Sequence, residues 1–134
     1  MNPAANAKAV QDIYAAFGRG DLPAMLSLLA EDVRWSFPLS QVIPWSGERR
    51  GRDGVTQFFT ALLQHVDFEL FEPRSFVAQG ERVLVTGAER MRVKTTGLTC
   101  EVEWVHAFTL SNGRVTEFRG YTDTATIEAA MGRG

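Results

Sequence analysis

The spacing of the apolar residues changes from a helical period to a period of two near Asp67, and no other feature of the sequence constrains the fold as strongly. Before this point, one helix face carries Val10, Ile13, Tyr14 and Phe17. After it, polar residues alternate with Cys100, Val102, Trp104, His106, Phe108 and Leu110. This order predicts an α+β domain in which N-terminal helices pack on a strongly curved, mostly antiparallel sheet.

Local signals divide each half into elements. Glycines at 18 and 20 end the first helix, and the aspartates Asp21 and Asp53 are suited to cap a second and a third helix. A strand over 32–37 is followed by a loop rich in proline, serine and glycine. Four further strands are predicted over 67–78, 83–93, 100–110 and 114–123. Pro73 indicates a bulge or a sheet edge, and Asn112-Gly113 a tight hairpin turn.

Composition limits the functions that need to be considered. The 134 residues are enough for one domain, predicted over 1–134, and the net charge of -2 gives no general attraction to nucleic acid or to a membrane surface. No apolar run approaches a membrane span, and the first residues do not resemble a secretory signal. Cys100 is the single cysteine, so we expect a reducing, cytoplasmic location and no internal disulfide. Metal-ligand spacings and dinucleotide or phosphate motifs are absent from the sequence, so no metal and no cofactor is expected.

Two polar residues, Glu89 and His106, interrupt an otherwise apolar strand face. If Thr96-Gly97 forms a two-residue turn, opposite residues have numbers that sum to 193, and Glu89 lies almost diagonally from His106. A carboxylate there would fix the imidazole in one tautomer and raise its basicity. Two alternatives stay open: both residues are core groups that satisfy their own hydrogen bonds, or the register slips and moves Glu89 away.

A bent sheet wrapped around a helix leaves a conical cavity, which is the usual setting for a small-molecule site. Aromatic residues that either line this cavity or form plain core are Trp35, Phe37, Trp45 and Phe58. Trp45 lies in the proline-rich loop and is suited to cover the cavity mouth. The inward strand rows add Met91, Trp104 and Phe108.

Three stretches, YAAFGRGDLPAMLSLLAEDVRWSFP, RGRDGVTQFFTALL and HAFTLSNGRVTEFRGYTD, resemble the NTF2-like superfamily, in particular its SnoaL-like polyketide cyclase and ketosteroid isomerase-related group. The resemblance covers nearly the whole chain. It implies a conical α+β barrel that usually forms a homodimer through the outer face of the sheet. It does not imply one activity, because the fold hosts enzymes and plain binding proteins.

The resemblance also assigns positions to the family's functional residues. The ketosteroid isomerase base falls at Phe37, and the oxyanion tyrosine of the first helix falls at Ile13, so that mechanism is not expected. The second oxyanion position, and the pocket histidine of the cyclases, fall at His106. An aspartate of the last strand falls at Gly120, which would leave room for a ligand on the cavity floor.

The resemblance further implies that Phe118, Gly120 and Thr122 face inward. A simple two-residue turn at Asn112-Gly113 would instead direct Glu117, Arg119 and Tyr121 toward His106, and a bulge near the turn would reconcile the two.

The leading hypothesis is a SnoaL-like enzyme that moves a proton on a small, largely apolar carbonyl compound, as in isomerisation or cyclisation. His106 would act as general base or acid, with Glu89 orienting it. The expected ligand contacts are Trp35, Phe37, Trp45, Phe58, Met91, Trp104, Phe108, Phe118 and Gly120. Two alternatives stay open: a ligand-binding domain without chemistry, and a dimerisation module whose cavity is filled by side chains.

Overall fold

The structure, a computed structural model, describes residues 2–132, so the predicted domain limits at 1 and 134 lie outside it. In this range the elements follow in the order α1 (Pro3–Gly18), α2 (Leu22–Ser27), β1 (Leu29–Phe37), β2 (Gly47–Arg50), α3 (Gly51–His65), β3 (Val66–Gln79), β4 (Arg82–Val93), β5 (Thr99–Ser111), β6 (Arg114–Thr122) and α4 (Thr124–Ala130). Helices dominate the first half and strands the second, which confirms the predicted α+β class.

All of these strands belong to one sheet in the order β2-β1-β6-β5-β4-β3. β1 and β6 pair in parallel, and the other neighbours are antiparallel, as predicted. The sheet stays open, with β2 and β3 at its edges. Pro73 lies on the edge strand β3 beside a register shift, and an edge strand and a bulge are the two settings in which a sheet tolerates proline.

The facing of β6 follows from its hairpin with β5. Asn112 and Gly113 have φ angles of 53° and 80°, the left-handed pair that a tight hairpin turn requires. A register shift between Thr109 and Leu110 then turns the strand, so that Phe118 and Gly120 are buried on the inner face. The inward facing implied by the family resemblance, and the bulge that it needed, are therefore confirmed.

Two local predictions need correction. α3 begins at Gly51 with Arg50 as its N-cap, so Asp53 is not the capping residue. Asp53 lies in the first turn, where its carboxylate interacts favourably with the positive end of the helix dipole. β2 falls in the stretch predicted as a loop, because four residues of mixed charge carry no alternating pattern. The prediction for Asp21 is confirmed, since its carboxylate accepts the backbone N–H of Ala24 at 3.1 Å.

α1 lies across the concave face of the sheet and is anchored near its N-terminus. Asn6 is only 2% exposed, and its amide Nδ2 donates to the carbonyl oxygen of Gly80 in the β3–β4 turn at 3.2 Å. This contact fixes where the next two turns of α1 lie over the sheet. No helix in the described range is long and apolar enough to cross a membrane.

Candidate functional site

A cavity of about 60 Å³ lies between the helices and the concave face of the sheet. Its walls are mostly aromatic and aliphatic. The side chains of Tyr14, Glu89, His106 and Thr122 add hydroxyl, carboxyl and imidazole groups to this lining. A concave, mostly apolar space with a few convergent polar groups is typical of small-molecule sites.

His106 lies at the middle of β5, between Val85 of β4 and Gly120 of β6, and is 7% exposed. Its Nδ1 forms a hydrogen bond of 2.7 Å with the hydroxyl of Tyr14 on α1. The Tyr14 ring lies within 10° of parallel to the imidazole. Trp104 stacks on the imidazole at a centroid distance of 3.9 Å. One face and one nitrogen of the imidazole are therefore fixed.

Burial keeps this pair neutral. Burial lowers the pKa of His106 from 6.5 to about 3, and it raises the pKa of Tyr14 above its ordinary value of 10. A phenol is the stronger acid and an imidazole nitrogen the stronger base, so Tyr14 donates to Nδ1 and the single ring proton of His106 resides on Nε2. Among the described residues Nε2 has no hydrogen-bond partner, and His106 lines the cavity. The pair thus offers a free N–H donor.

Glu89 does not contact His106, and the predicted hydrogen bond between them is wrong. Opposite residues of β4 and β5 have numbers that sum to 191, because a four-residue loop joins Val93 to Leu98 in place of the predicted two-residue turn. His106 faces Val85, so Glu89 is four residue steps away along the strand, roughly 13 Å.

Glu89 nevertheless points to the same side as His106 and lines the same cavity. It lies between Phe71 of β3 and Val102 of β5. Burial raises the pKa of its carboxyl group from 4.5 to about 8. The cavity therefore holds a neutral donor near one end and, farther along β4, an acid that titrates close to neutral pH.

Most of the predicted ligand contacts border the cavity: Trp35, Phe37, Trp45, Phe58, Met91, Phe108 and Phe118. Trp104 is outside the lining found for residues 2–132 and stacks behind His106. Gly120 is also outside it, and the Phe37 ring covers this residue, since a Cβ there would lie 2.9 Å from two ring atoms. The expected room at Gly120 is filled, so that prediction was wrong.

A larger groove of about 800 Å³ adjoins the cavity beside α2 and β3. The two spaces share the side chains of Tyr14, Phe17, Met25, Phe59, Phe68 and Phe71. Phe68 and Phe71 would face opposite sides of a regular strand, but a bulge at Glu69 brings both to the inner side. A ligand larger than a few water molecules must displace part of this shared layer.

Tyr14 is the functional residue that the sequence interpretation missed. Alignment to the family placed the helix tyrosine at Ile13, one residue away, and Tyr14 was counted only as part of the apolar stripe. A signal was present, because a tyrosine on a buried helix face needs a partner for its hydroxyl. The partner itself lies 92 residues away and is set by the tertiary structure.

Three solved structures resemble the chain closely. An NTF2-like protein from Burkholderia xenovorans LB400 is 39% identical, with a TM-score of 0.88, over 97% of this chain and 98% of the other. An NTF2-like protein from Burkholderia pseudomallei K96243 is 31% identical, with a TM-score of 0.86 and the same coverage. TerC, co-crystallised with polyporic acid, is 26% identical, with a TM-score of 0.87, over 96% and 98% of the two chains.

No curated protein matches the sequence. The SnoaL-like domain family matches residues 10–118, which include α1 from Val10 onward with Tyr14, the whole of β4 and β5, and β6 as far as Phe118. This segment and the residues on either side of it form the helices, the open sheet and the cavity described above. The chain therefore belongs to the SnoaL-like family and has the NTF2-like fold.

Proposed function

We propose that this protein is an acid-base enzyme of the isomerase or cyclase kind, which acts on a small, largely apolar carbonyl compound. The observation that supports it is the Tyr14–His106 hydrogen bond of 2.7 Å at the wall of an apolar cavity that Glu89 also lines. TerC supports the existence of an organic ligand, because this similar protein was crystallised with polyporic acid.

His106 acts as a hydrogen-bond donor in this proposal, not as the base. With its pKa lowered to about 3, the imidazole is neutral at pH 7 and too weakly basic to keep a proton. Its Nε2–H donates to the carbonyl oxygen of the substrate, where negative charge develops when a conjugated C–H bond breaks. Tyr14 keeps the required tautomer by donating to Nδ1.

Glu89 carries the proton. As a carboxylate it removes a proton from a carbon that is conjugated with the carbonyl group but lies farther along β4, as its separation from His106 requires, and the C–H electron pair forms a dienolate. The dienolate then takes the proton back at another carbon, which completes an isomerisation, or attacks a second carbonyl, which completes a cyclisation. A pKa of about 8 is close to the value that such a group needs at physiological pH.

Hydrogen–deuterium exchange tests this mechanism without a known substrate. We expect the protein to accelerate exchange of the γ protons of cyclohex-2-enone, which are conjugated with its carbonyl group, in D2O, followed by NMR. Glu89→Gln should slow the protein-catalysed rate about 100-fold, because it removes the proton carrier. His106→Phe should slow it by a similar factor, because it removes the donor to the enolate oxygen.

Glu103→Gln is the matched control, since it makes the same change on an exposed side chain of β5. The rate of this variant should equal that of the unchanged protein, and the unchanged rate should rise with pH up to about 8 as Glu89 ionises. Equal exchange rates in the Glu89→Gln and Glu103→Gln proteins would exclude the mechanism.

A ligand-binding protein without chemistry is the second candidate. Two observations favour it. Phe37 and Gly120 occupy positions where related enzymes carry acidic residues, and the ring of Phe37 fills the space over Gly120. This alternative predicts saturable binding of polyporic acid or an aryl ketone, but no acceleration of exchange at any pH.

We also propose that two copies of the chain associate through the outer face of the sheet. Val105 of β5 pairs with Tyr121 of β6, and Leu84 of β4 lies diagonally from Val105; their side chains are 38%, 48% and 41% exposed. Covering such a patch is favourable. Native mass spectrometry should show a dimer at micromolar concentration, and Val105→Glu should shift it to monomer. A wild-type monomer under the same conditions would contradict this proposal.

A further inference from the structure

We propose that the indole N–H of Trp35 is a second hydrogen-bond donor of the cavity, and that the substrate is a neutral compound with two acceptor oxygens on a ring-sized apolar core. The first acceptor is the carbonyl oxygen bound by His106, so this inference rests on the proposed function. The second oxygen is bound by Trp35.

The indole nitrogen of Trp35 is an enclosed donor without an acceptor. Trp35 is 3% exposed and lines the cavity. Within residues 2–132 its Nε1 has no hydrogen-bond partner. Buried donors are nearly always paired, so an unpaired one at the edge of a cavity points to an acceptor that arrives with a ligand. The nitrogen itself has almost no accessible surface, so this acceptor reaches it when the ligand displaces part of the aromatic layer shared with the groove.

Trp35 and His106 approach the cavity from the two sides of Phe118. The Trp35 ring stacks on Phe118 at a centroid distance of 4.0 Å, and the Phe118 ring meets His106 edge-on at 5.0 Å. Trp35 pairs with Phe118, and His106 with Gly120, so the two Cα atoms are separated by two strand spacings and two residue steps, roughly 12 Å. Both side chains border the same cavity, so one compact ring that displaces part of the shared aromatic layer would lie between them.

The charge of the lining selects the kind of acceptor. Around the cavity, the described residues include no lysine or arginine, while Glu89 contributes a potential negative charge. A bound anion would find no compensating charge in this apolar space, so a neutral diketone or quinone-like oxygen fits better. Trp104 has an equally enclosed and unpaired Nε1 but is not part of the lining, so it does not serve the same purpose.

Two probes of nearly equal size test this inference: 1,4-diacetylbenzene, which has two carbonyl oxygens, and 4-ethylacetophenone, which has one. We expect the diketone to bind the full chain about 10-fold more tightly, by isothermal titration calorimetry. In ¹⁵N–¹H NMR spectra, the diketone should move the Trp35 indole proton downfield, and the monoketone should not. Equal affinities, or no binding of the diketone at millimolar concentration, would overturn the inference.

Trp35→Phe removes the N–H but keeps an aromatic ring, so it should reduce the 10-fold preference to about 1. Trp45→Phe is the matched control, because Trp45 also lines the cavity and its nitrogen is not an enclosed, unpaired donor; this variant should keep the preference. A preference retained in Trp35→Phe would overturn the inference.

His106→Phe separates this inference from the proposed function. It should weaken both probes by a similar factor, since both lose the same donor. Undiminished binding in His106→Phe would contradict the role of His106 and leave the result for Trp35 standing.

Discussion

Replacing Gly87 with alanine should lower the free energy of unfolding by about 3 kcal/mol, near the upper end of overpacking costs. A Cβ at this position would lie 2.4 Å from Cζ2 of Trp104 and 2.6 Å from the backbone oxygen of Glu72. The Glu72 oxygen belongs to the neighbouring strand β3 and cannot swing aside. The Trp104 ring stacks on His106, so its displacement would also disturb the site. Urea unfolding followed by circular dichroism would measure the loss.

Gly18→Ala is the control for this substitution. A Cβ at Gly18, the last residue of α1, meets no atom of the described chain within 4 Å. Alanine there also restricts the unfolded chain, so the free energy of unfolding should stay the same or rise by up to about 1 kcal/mol. Equal destabilisation by the two alanines would show that close packing at Gly87 is not the cause.

The second large effect is a stability profile that falls on both the acid and the alkaline side because of the buried His106 and the half-buried Glu89. Burial lowers the pKa of His106 from 6.5 to about 3. The unfolded chain therefore binds more protons at this residue between these values, and stability rises with pH across that window. Burial raises the pKa of Glu89 from 4.5 to about 8. Here the folded chain binds more protons, so stability falls as pH rises from 4.5 to 8.

The two slopes cancel between pH 4.5 and 6.5, where we expect a plateau in the contribution of this pair. Below it, His106 alone should cost about 2 kcal/mol by pH 3, and above it Glu89 alone should cost about 2 kcal/mol by pH 8. Each figure corresponds to an interval of 1.5 pH units in which one group alone changes its proton binding, from 4.5 down to 3 for His106 and from 6.5 up to 8 for Glu89. Urea unfolding at half-unit pH intervals would record the profile.

Single substitutions separate the two contributions from the titration of the remaining carboxylates. Glu89→Gln should flatten the decline between pH 6.5 and 8 and leave the acid limb. His106→Phe should remove about 2 kcal/mol of the acid-side decline and leave the alkaline limb. An alkaline decline that persists unchanged in Glu89→Gln would show that Glu89 is not held in its protonated form by burial.

The arrangement of elements followed from the sequence because it depends on local chemistry. Helical spacing before Asp67, alternation after it, the cap at Asp21 and the turn at Asn112-Gly113 each act over a few residues. The same alternation identified His106 and Glu89 as polar residues on an inward face, and most of the predicted aromatic lining reaches the cavity. Short-range patterns of this kind are readable without coordinates.

The site depended on features that no local pattern determines. The loop between Val93 and Leu98 has four residues in place of the predicted two, and this difference alone separates Glu89 from His106. Tyr14 reaches His106 because Asn6 anchors α1 to a distant turn. Phe37 fills the space over Gly120 because β1 pairs with β6, more than 80 residues apart in sequence.

The sequence by itself thus determined the fold class, the order along the chain of all described strands except β2, and the inward position of a histidine and a glutamate. Only the tertiary structure decided the pKa values of these two side chains, and with them which one is neutral and which one can release a proton. A pKa is set by the surroundings of a group, and burial against α1 and the aromatic strands turns His106 into a neutral donor and Glu89 into an acid that titrates near pH 8.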